Sequence, residues 1–210
     1  MDCKICNNKI LDRLELESVY YYCPKCNLIF IDEVSILDSI EEKSRYEEHE
    51  NGHENKGYVR MFEIFIKQVI EPYISKTGLV LDFGCGPGPV LGDLLKERDF
   101  TVEQYDPYFF PERVFEGKKY DLITSTEVFE HLKDPLQEMD KLYEHLKKDA
   151  YLAIMTSFHP GVDDFADWWY KRDPTHITFY NSNTFKEIAR KYNLEIVFED
   201  RDKYCLLKKR

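Results

Sequence analysis

No apolar run in this sequence approaches the roughly 18 residues that a membrane-crossing helix needs, and no internal repeat or low-complexity tract interrupts it. The opening residues, MDCKICNNKI, lack an apolar h-region and a small-residue cleavage site, so no secretion signal is expected. The expectation is a soluble, cytoplasmic protein with no membrane partner, in a compartment that keeps thiols reduced. Basic excess is also missing: 29 Lys and Arg face 40 Asp and Glu, for a formal net charge of -11. Such a surface repels phosphate backbones, which disfavours bulk nucleic-acid binding and leaves only a local basic groove open. What is present, 210 residues of which 43% are apolar, suffices for one sizeable core and a small appendage.

Four of the six cysteines are patterned. Cys3 and Cys6 form CKIC, Cys23 and Cys26 form CPKC, and sixteen residues separate the pairs. This is the C-x2-C…C-x2-C spacing of a zinc ribbon. Two tight turns whose thiolates converge complete a tetrahedral Zn²⁺ shell, and four protein ligands leave no open position, so the metal is read as structural. The alternative, two disulfides or free thiols, conflicts with the reducing compartment and the doubled spacing. Cys85 and Cys205 stand alone and read as small buried apolar residues. HENGH at 49–53 satisfies H-E-x-x-H, but that motif needs a stable helix. Here Asn51 and Gly52 lie between the histidines in an almost wholly polar stretch, and a helical Gly costs about 1 kcal/mol. Residues 33–55 are therefore expected to be a linker, or a lid in which Tyr46 and His49 fold over a ligand.

Beyond residue 56 the pattern alternates. Val59, Phe62, Phe65, Ile66, Val69 and Ile70 repeat at helical spacing. Strand-like GLVLDF, a glycine loop and a helix from about Pro89 to Lys96 follow. TVEQYD and YDLITST read as strands, DPLQEMDKLYEHLKK as an amphipathic helix, AYLAIMTSF as a strand, and NTFKEIARKY as a helix capped by Ser182 or Asn183. LEIVFED and YCLLKK close the chain as two strands. This is an α/β pattern: a doubly wound, mostly parallel sheet with an antiparallel final strand. The division expected is a ribbon over 1–32, a linker or lid over 33–55 and the α/β domain over 56–210.

VLDFGCGPGP at 80–89 lies where such sheets bind ligands, at the carboxyl end of a strand at the switch point. Gly84, Gly86 and Gly88 let backbone approach a ligand closely. A phosphate-binding P-loop needs a Lys-Ser/Thr pair that is absent. In a dinucleotide fingerprint the last glycine would fall where Pro89 stands. Asp82 sets a negative charge where a pyrophosphate would lie, which suits instead a ligand carrying an ammonium and a sulfonium, S-adenosylmethionine (SAM). Asp106, eighteen residues beyond Gly88, can accept bonds from ribose hydroxyls in either a dinucleotide or SAM.

LDFGCGPG, YDP and YDLITSTEVFEHLKDP, in that order, resemble motifs of the class I SAM-dependent methyltransferases over roughly residues 45–208. The E-V-x-E-H segment and the later DPTHITFY are similar to the subgroup that includes quinone-biosynthesis methyltransferases. The resemblance implies SAM contacts at Asp82, Gly84, Gly86, Gly88 and Asp106, and at Ser125, Thr126 and Glu127. The segment between Asp106 and Tyr120 is shorter than in the family, which usually places a helix and a strand there. No acidic residue for the adenine is assigned, and Phe109, Phe110 or Phe115 is expected to wall it.

Methyl transfer asks the protein mainly to position and desolvate the acceptor. Glu127, His131 and His176 are the candidate catalytic groups, with His159 a weaker one, and Trp168, Trp169 and Tyr170 form either core or an acceptor wall. The leading expectation is an enzyme acting on a small-molecule acceptor, in an arrangement resembling some sugar and natural-product methyltransferases. One alternative is an RNA or protein methyltransferase that grips its substrate with the ribbon. Against it, Lys4, Lys9, Arg13 and Lys25 are balanced by Asp2, Asp12, Glu15 and Glu17. The other alternative is a SAM-binding scaffold without activity, against which the intact glycine loop and Asp106 argue. Composition sets no oligomeric state.

Overall fold

Three short strands, β1 (Arg13–Glu15), β2 (Val19–Tyr22) and β3 (Ile29–Ile31), open the chain in the computed structural model. It describes all residues except 12, 49–50 and 75–77. Helix α1 (Ser39–Glu47) follows, its start fixed by a reciprocal cap between Asp38 and Glu41. Helix α2 (Lys56–Phe65) widens into a π turn over Ile66–Ile70. Phe62, Phe65, Ile66, Val69 and Ile70 are buried along this stretch, as the helical spacing anticipated.

The α/β unit then runs β4 (Leu79–Phe83), α3 (Val90–Lys96), β5 (Thr101–Tyr105), β6 (Tyr120–Thr126), α4 (Pro135–His145), β7 (Leu146–Met155), β8 (Thr178–Phe179), α5 (Ser182–Tyr192), β9 (Leu194–Glu199) and β10 (Tyr204–Lys209). Six strands form one sheet in the order β5-β4-β6-β7-β10-β9. The β5, β4, β6 and β7 pairings are parallel, and β10 is antiparallel to both its neighbours. This is the mostly parallel sheet with an antiparallel final strand that the alternation of elements implied. No strand or helix forms between Asp106 and Tyr120, so β5 is an edge.

Alternation along the strands builds a core on each face. Leu81, Ile123, Leu152, Ile154 and Leu207 pack with Met139, Leu142, Phe185 and Ile188 of α4 and α5. Val80, Leu122, Ala153, Met155 and Leu206 pack with Phe65, Ile66, Val69, Leu91 and Leu95 on the other face. Three local readings shift. The helix expected to reach Lys148 stops at His145, because Leu146 is buried and pairs with Tyr120 as the first residue of β7. The cap of α5 is Asn181, not Ser182 or Asn183, since its side chain accepts from the amides of Asn183 and Thr184. Strand β8 escaped notice because two residues carry no period.

That short strand matters for the N-terminal region. The second sheet is β1-β2-β3-β8, with Ile29 opposite Phe179 and Phe30 opposite Thr178. One face packs Tyr20, Ile29 and Ile31 on Phe165, Tyr170, Ile177 and Phe179. Phe30, Leu28 and the buried cysteines join the main apolar cluster. The first 32 residues thus share both a sheet and a core with the α/β unit.

Phe185 is fully buried and stacks near Phe158 and Tyr180, with ring centroids at 5.3 and 5.4 Å. Phe185→Ala should lower stability by about 3–5 kcal/mol through lost burial and a residual cavity. Urea unfolding followed by circular dichroism checks this, and a loss well under 1 kcal/mol would show that the cluster is not packed as described.

Candidate active site

Parallel pairing brings the carboxyl ends of β4, β5 and β6 side by side, and the loops leaving them form one cavity of about 780 Å³. Asp82, near the end of β4, is buried and accepts a hydrogen bond from the Thr124 hydroxyl at 2.9 Å. Burial pushes its carboxyl up to about 7; the charges of Asp106 and Asp93 add to this, against the Thr124 bond and Lys96. Gly84 and Gly86 have φ of 78° and 65°, left-handed values that favour glycine. A Cβ on Gly84 would meet Val128 Cγ2 at 2.3 Å, and one on Gly88 would meet the Asn51 carbonyl oxygen at 1.6 Å. Asp106 ties the loop to its own turn, accepting from the amides of Gly86 (3.0 Å), Tyr108 (2.9 Å) and Phe109 (3.1 Å).

Asp82, Gly84, Gly86, Gly88, Asp106, Thr126 and Glu127 all line this cavity. Ser125 does not: it lies one residue back inside β6, buried, with no hydroxyl partner among the described residues. Of the three phenylalanines considered for an adenine wall, Phe109 lines the cavity. Phe115 is instead in the core against Tyr105 and His145.

Glu127 and His131 share the connection from β6 to α4, while His176 comes from the connection before β8, and all three line the same cavity. Glu127 has φ 53°, a left-handed turn that a non-glycine residue rarely adopts, and its amide donates to the Met155 carbonyl at 2.8 Å. The Tyr170 hydroxyl lies 2.9 Å from Glu127 Oε2 and also bonds to Glu130 Oε1. One phenolic proton serves one carboxylate at a time, so both contacts are satisfied when one carboxyl is protonated. Burial, reinforced by the charge of Glu130, pushes Glu127 up to about 8, and burial raises Glu130 as well. His131 Nδ1 donates to the Thr175 carbonyl at 2.9 Å and His176 Nδ1 to the Tyr170 carbonyl at 2.7 Å, which in the neutral rings puts each lone pair on Nε2. Burial holds His131 below its ordinary value.

Helix α1 crosses this cavity. Glu42 accepts from the hydroxyls of Tyr46 and Tyr108, each at 2.6 Å. Arg45 pairs with Asp173 at 3.0 Å, and the Tyr46 ring stands edge-on to His131 at 5.1 Å. His49 lies outside the described residues. His53 is in a turn and bonds to Asp93 at 3.1 Å. His159 is 4% exposed, lies away from the large cavity and bonds to the Asn27 carbonyl, so it does not join the other two histidines. The WWY stretch divides. Trp168 packs on Phe165 and Phe179, Trp169 is 63% exposed on the cavity wall, and Tyr170 joins the carboxylates.

Sequence reasoning missed Tyr58, Glu130 and the polar role of Tyr170. Tyr58 lines the cavity, its phenol pushed up by burial and by the charges of Asp82 and Glu127. Its place one turn before Phe62 on the apolar face of α2 was the available signal. Glu130 stands within E-V-x-E-H, but only the fold shows it turning inward.

Two groups of described residues have metal-ligand chemistry. The sulfurs of Cys3, Cys6, Cys23 and Cys26 lie within 4.8 Å of one another, with Cys3–Cys26 and Cys6–Cys23 at 3.5 Å. A tetrahedral zinc thiolate with 2.3 Å bonds separates sulfurs by about 3.8 Å, so this donor set fits the ion. The two turns match: Asn7 and Asn27 have φ of 56° and 58°, and their amides bond back to Cys3 and Cys23. Glu130, His131 and His176 form the second group, also with ligand atoms within 4.8 Å.

A glycine loop after β4, an aspartate following its parallel neighbour β5 and the reversal of strand order between β4 and β6 define the class I SAM-dependent methyltransferase fold. The family model described as a methyltransferase domain matches residues 59–199, and the chain belongs to that family. No curated protein sequence matches significantly. Among solved structures, an O-methyltransferase family protein from Burkholderia thailandensis superposes with a TM-score of 0.58 at 14% identity, over 80% of this chain and 62% of that one. The chain therefore spans less than two thirds of that protein. A Pyrococcus horikoshii protein gives 0.56 at 13% identity, covering 80% of this chain and 99% of the other. A plantazolicin methyltransferase solved with a triazolic desmethyl analogue and S-adenosylhomocysteine gives 0.51 at 14%, covering 82% and 92%. Among the described residues no helix is long and apolar enough to cross a membrane.

The raised carboxyl of Asp82 generates a prediction. Its folded value of about 7 lies above the ordinary 3.8, so across that window the folded chain holds a proton that the unfolded chain releases. This group's contribution to stability therefore falls as pH rises from about 4 to 7. Carboxyl carbon NMR of ligand-free protein should show a midpoint near 7 that moves higher in Thr124→Val. A midpoint near 4 would mean that Asp82 is hydrated.

Proposed function

We propose that the chain transfers the methyl group of SAM to a small-molecule acceptor held against Glu127, His131 and His176. The observation that carries this reading is the single cavity, in which the glycine loop and Asp106 share a wall with those three side chains beneath α1. In this reading Asp106 accepts from the ribose hydroxyls and ionised Asp82 faces the ammonium end of the cofactor. Gly84, Gly86 and Gly88 admit its backbone-hugging chain. Thr126 and Glu127 border the sulfonium, and Ser125 supports them from inside β6.

SAM supplies a methyl group already made electrophilic by the sulfonium. The chain's own residues orient the acceptor, exclude water and, for a hydroxyl acceptor, take its proton as the new bond forms and the sulfur–methyl bond breaks. The Nε2 lone pair of His131 suits that proton, and His176 lines the cavity beside it. Trp169 supplies an apolar surface at the rim and α1 forms the lid. A net charge of -11 and a roofed cavity favour a small acceptor over RNA. The four cysteines are assigned a structural zinc. A second reading follows from the Glu130, His131 and His176 group: a divalent cation there would supply Lewis acidity to an acceptor oxygen.

Calorimetry should show SAM and S-adenosylhomocysteine binding in preference to NAD. Asp106→Ala should weaken SAM by about 1.5–3 kcal/mol, the worth of a charge-assisted bond. Equal or tighter binding of NAD would remove the cofactor assignment.

Label from methyl-tritiated SAM should enter the low-mass fraction of a cell extract. Label recovered in RNA or protein would instead select a macromolecular acceptor. His176→Ala should slow the transfer about a hundredfold with SAM affinity nearly unchanged, since its contact is made with the acceptor. Transfer lost on chelation and restored by a divalent salt would favour the second reading.

A further inference from the structure

We infer that the four-cysteine ribbon is the positioning element of the acceptor wall, so that its metal holds residues 168–178 in the arrangement that presents Tyr170 and His176. This rests on the reading of that segment as the acceptor side. The ribbon meets the wall through directed bonds at several places. Strand β3 pairs with β8, and the Ile31 amide donates to the Ile177 carbonyl at 2.9 Å. The carbonyl of Asn27, next to Cys26 in a left-handed turn, accepts from His159 Nε2 at 2.6 Å. His159 in turn donates its amide to the Tyr180 carbonyl at 2.9 Å. The Cys26 carbonyl accepts from the buried Thr184 hydroxyl at 2.9 Å, within the cap of α5. Lys171, beside Tyr170 and buried, pairs with Glu17 of the β1–β2 turn.

These bonds continue into the site. The Ile177 amide donates to the Glu130 carbonyl at 2.8 Å, and the Thr178 hydroxyl to the Leu132 carbonyl at 2.7 Å. The turn between Tyr170 and Ile177 is therefore clamped, with ribbon on one side and the E-V-x-E-H loop on the other. The glycine loop has no such tie. Its bonds run to β5 and Asp106, and among the described residues no hydrogen bond or ion pair joins residues 1–32 to residues 78–110. Four thiols with sulfurs this close stay together as thiolates only around a cation. Removing it frees the Cys23–Cys26 turn, and with it the two carbonyls that His159 and Thr184 use. The consequence is selective: metal loss loosens the acceptor wall and leaves the cofactor loop ordered.

The test uses the full chain with its bound zinc, counted by elemental analysis. Amide hydrogen exchange is read by mass spectrometry before and after chelation, with S-adenosylhomocysteine affinity measured by calorimetry. Exchange over residues 168–181 should speed up about tenfold or more. Residues 79–106 should change less than about twofold, and the affinity less than about threefold. Equal acceleration of both segments, an unchanged 168–181, or a metal-free full chain with 168–181 already protected would overturn the inference. Because chelation could unfold the shared core, zinc-replete His159→Ala is the second arm. It should accelerate 168–181 with zinc retained, and His159→Gln, which keeps an N–H donor, should restore protection. An unaffected wall in His159→Ala counts against the link. This readout needs no acceptor, so failure of the small-molecule reading in the labelling experiment would leave the exchange result separately interpretable.

Discussion

The cavity depends on the parallel register of β4 with β5 and β6. Asp82 faces Gln104 on one side and Thr124 on the other, and all three strands end within a residue or two of one another. Parallel strands with this register send their connections out at a common edge, so the glycine loop, Asp106 and Glu127 have to meet. A shift of one residue would turn Leu81 and Val80 to the wrong faces and detach both cores. The same register places the Thr124 hydroxyl on Asp82, the one side-chain bond to that buried carboxyl among the described residues.

The site concentrates acid where solvent is scarce. Asp82, Asp106 and Glu130 are buried and Glu127 lies close by. Buried carboxylates are tolerated when bonded or neutral. Asp106 takes the first route with three backbone amides. The Glu127–Tyr170–Glu130 group takes the second, because one protonated carboxyl lets the phenol donate to one carboxyl and accept from the other. Glu130 Oε2 and the Thr156 hydroxyl lie close to this group without partners among the described residues, an arrangement that a bound water or cation would satisfy.

Much of the α/β unit was legible because its elements are long and periodic. LVLDF and YDLITST announce themselves as apolar runs and α2 by apolar residues at helical spacing, and the doubled C-x2-C spacing anticipated that four sulfurs would converge. Glycines at 84 and 86 were readable as backbone needs, and both take left-handed φ. The short 107–119 connection, without helix or strand, was visible in the sequence as a missing layer.

Other features had no linear signal. Two residues at 178–179 carry no period, yet they join the N-terminal sheet to the main unit because a strand needs only a neighbour with free edge groups. His131, His159 and His176 look alike in sequence. Packing sends two to the large cavity and the third to the Asn27 carbonyl. Tyr170, within WWY, turns from its aromatic neighbours to two carboxylates 40 and 43 residues away. The sequence by itself determined the order of the longer α/β elements, the glycine loop and the cysteine framework, because these depend on local conformation and spacing. Which polar side chains share a cavity, and which strand the N-terminal sheet pairs with, was decided by tertiary structure, because those relations depend on strand order and burial that connect distant residues.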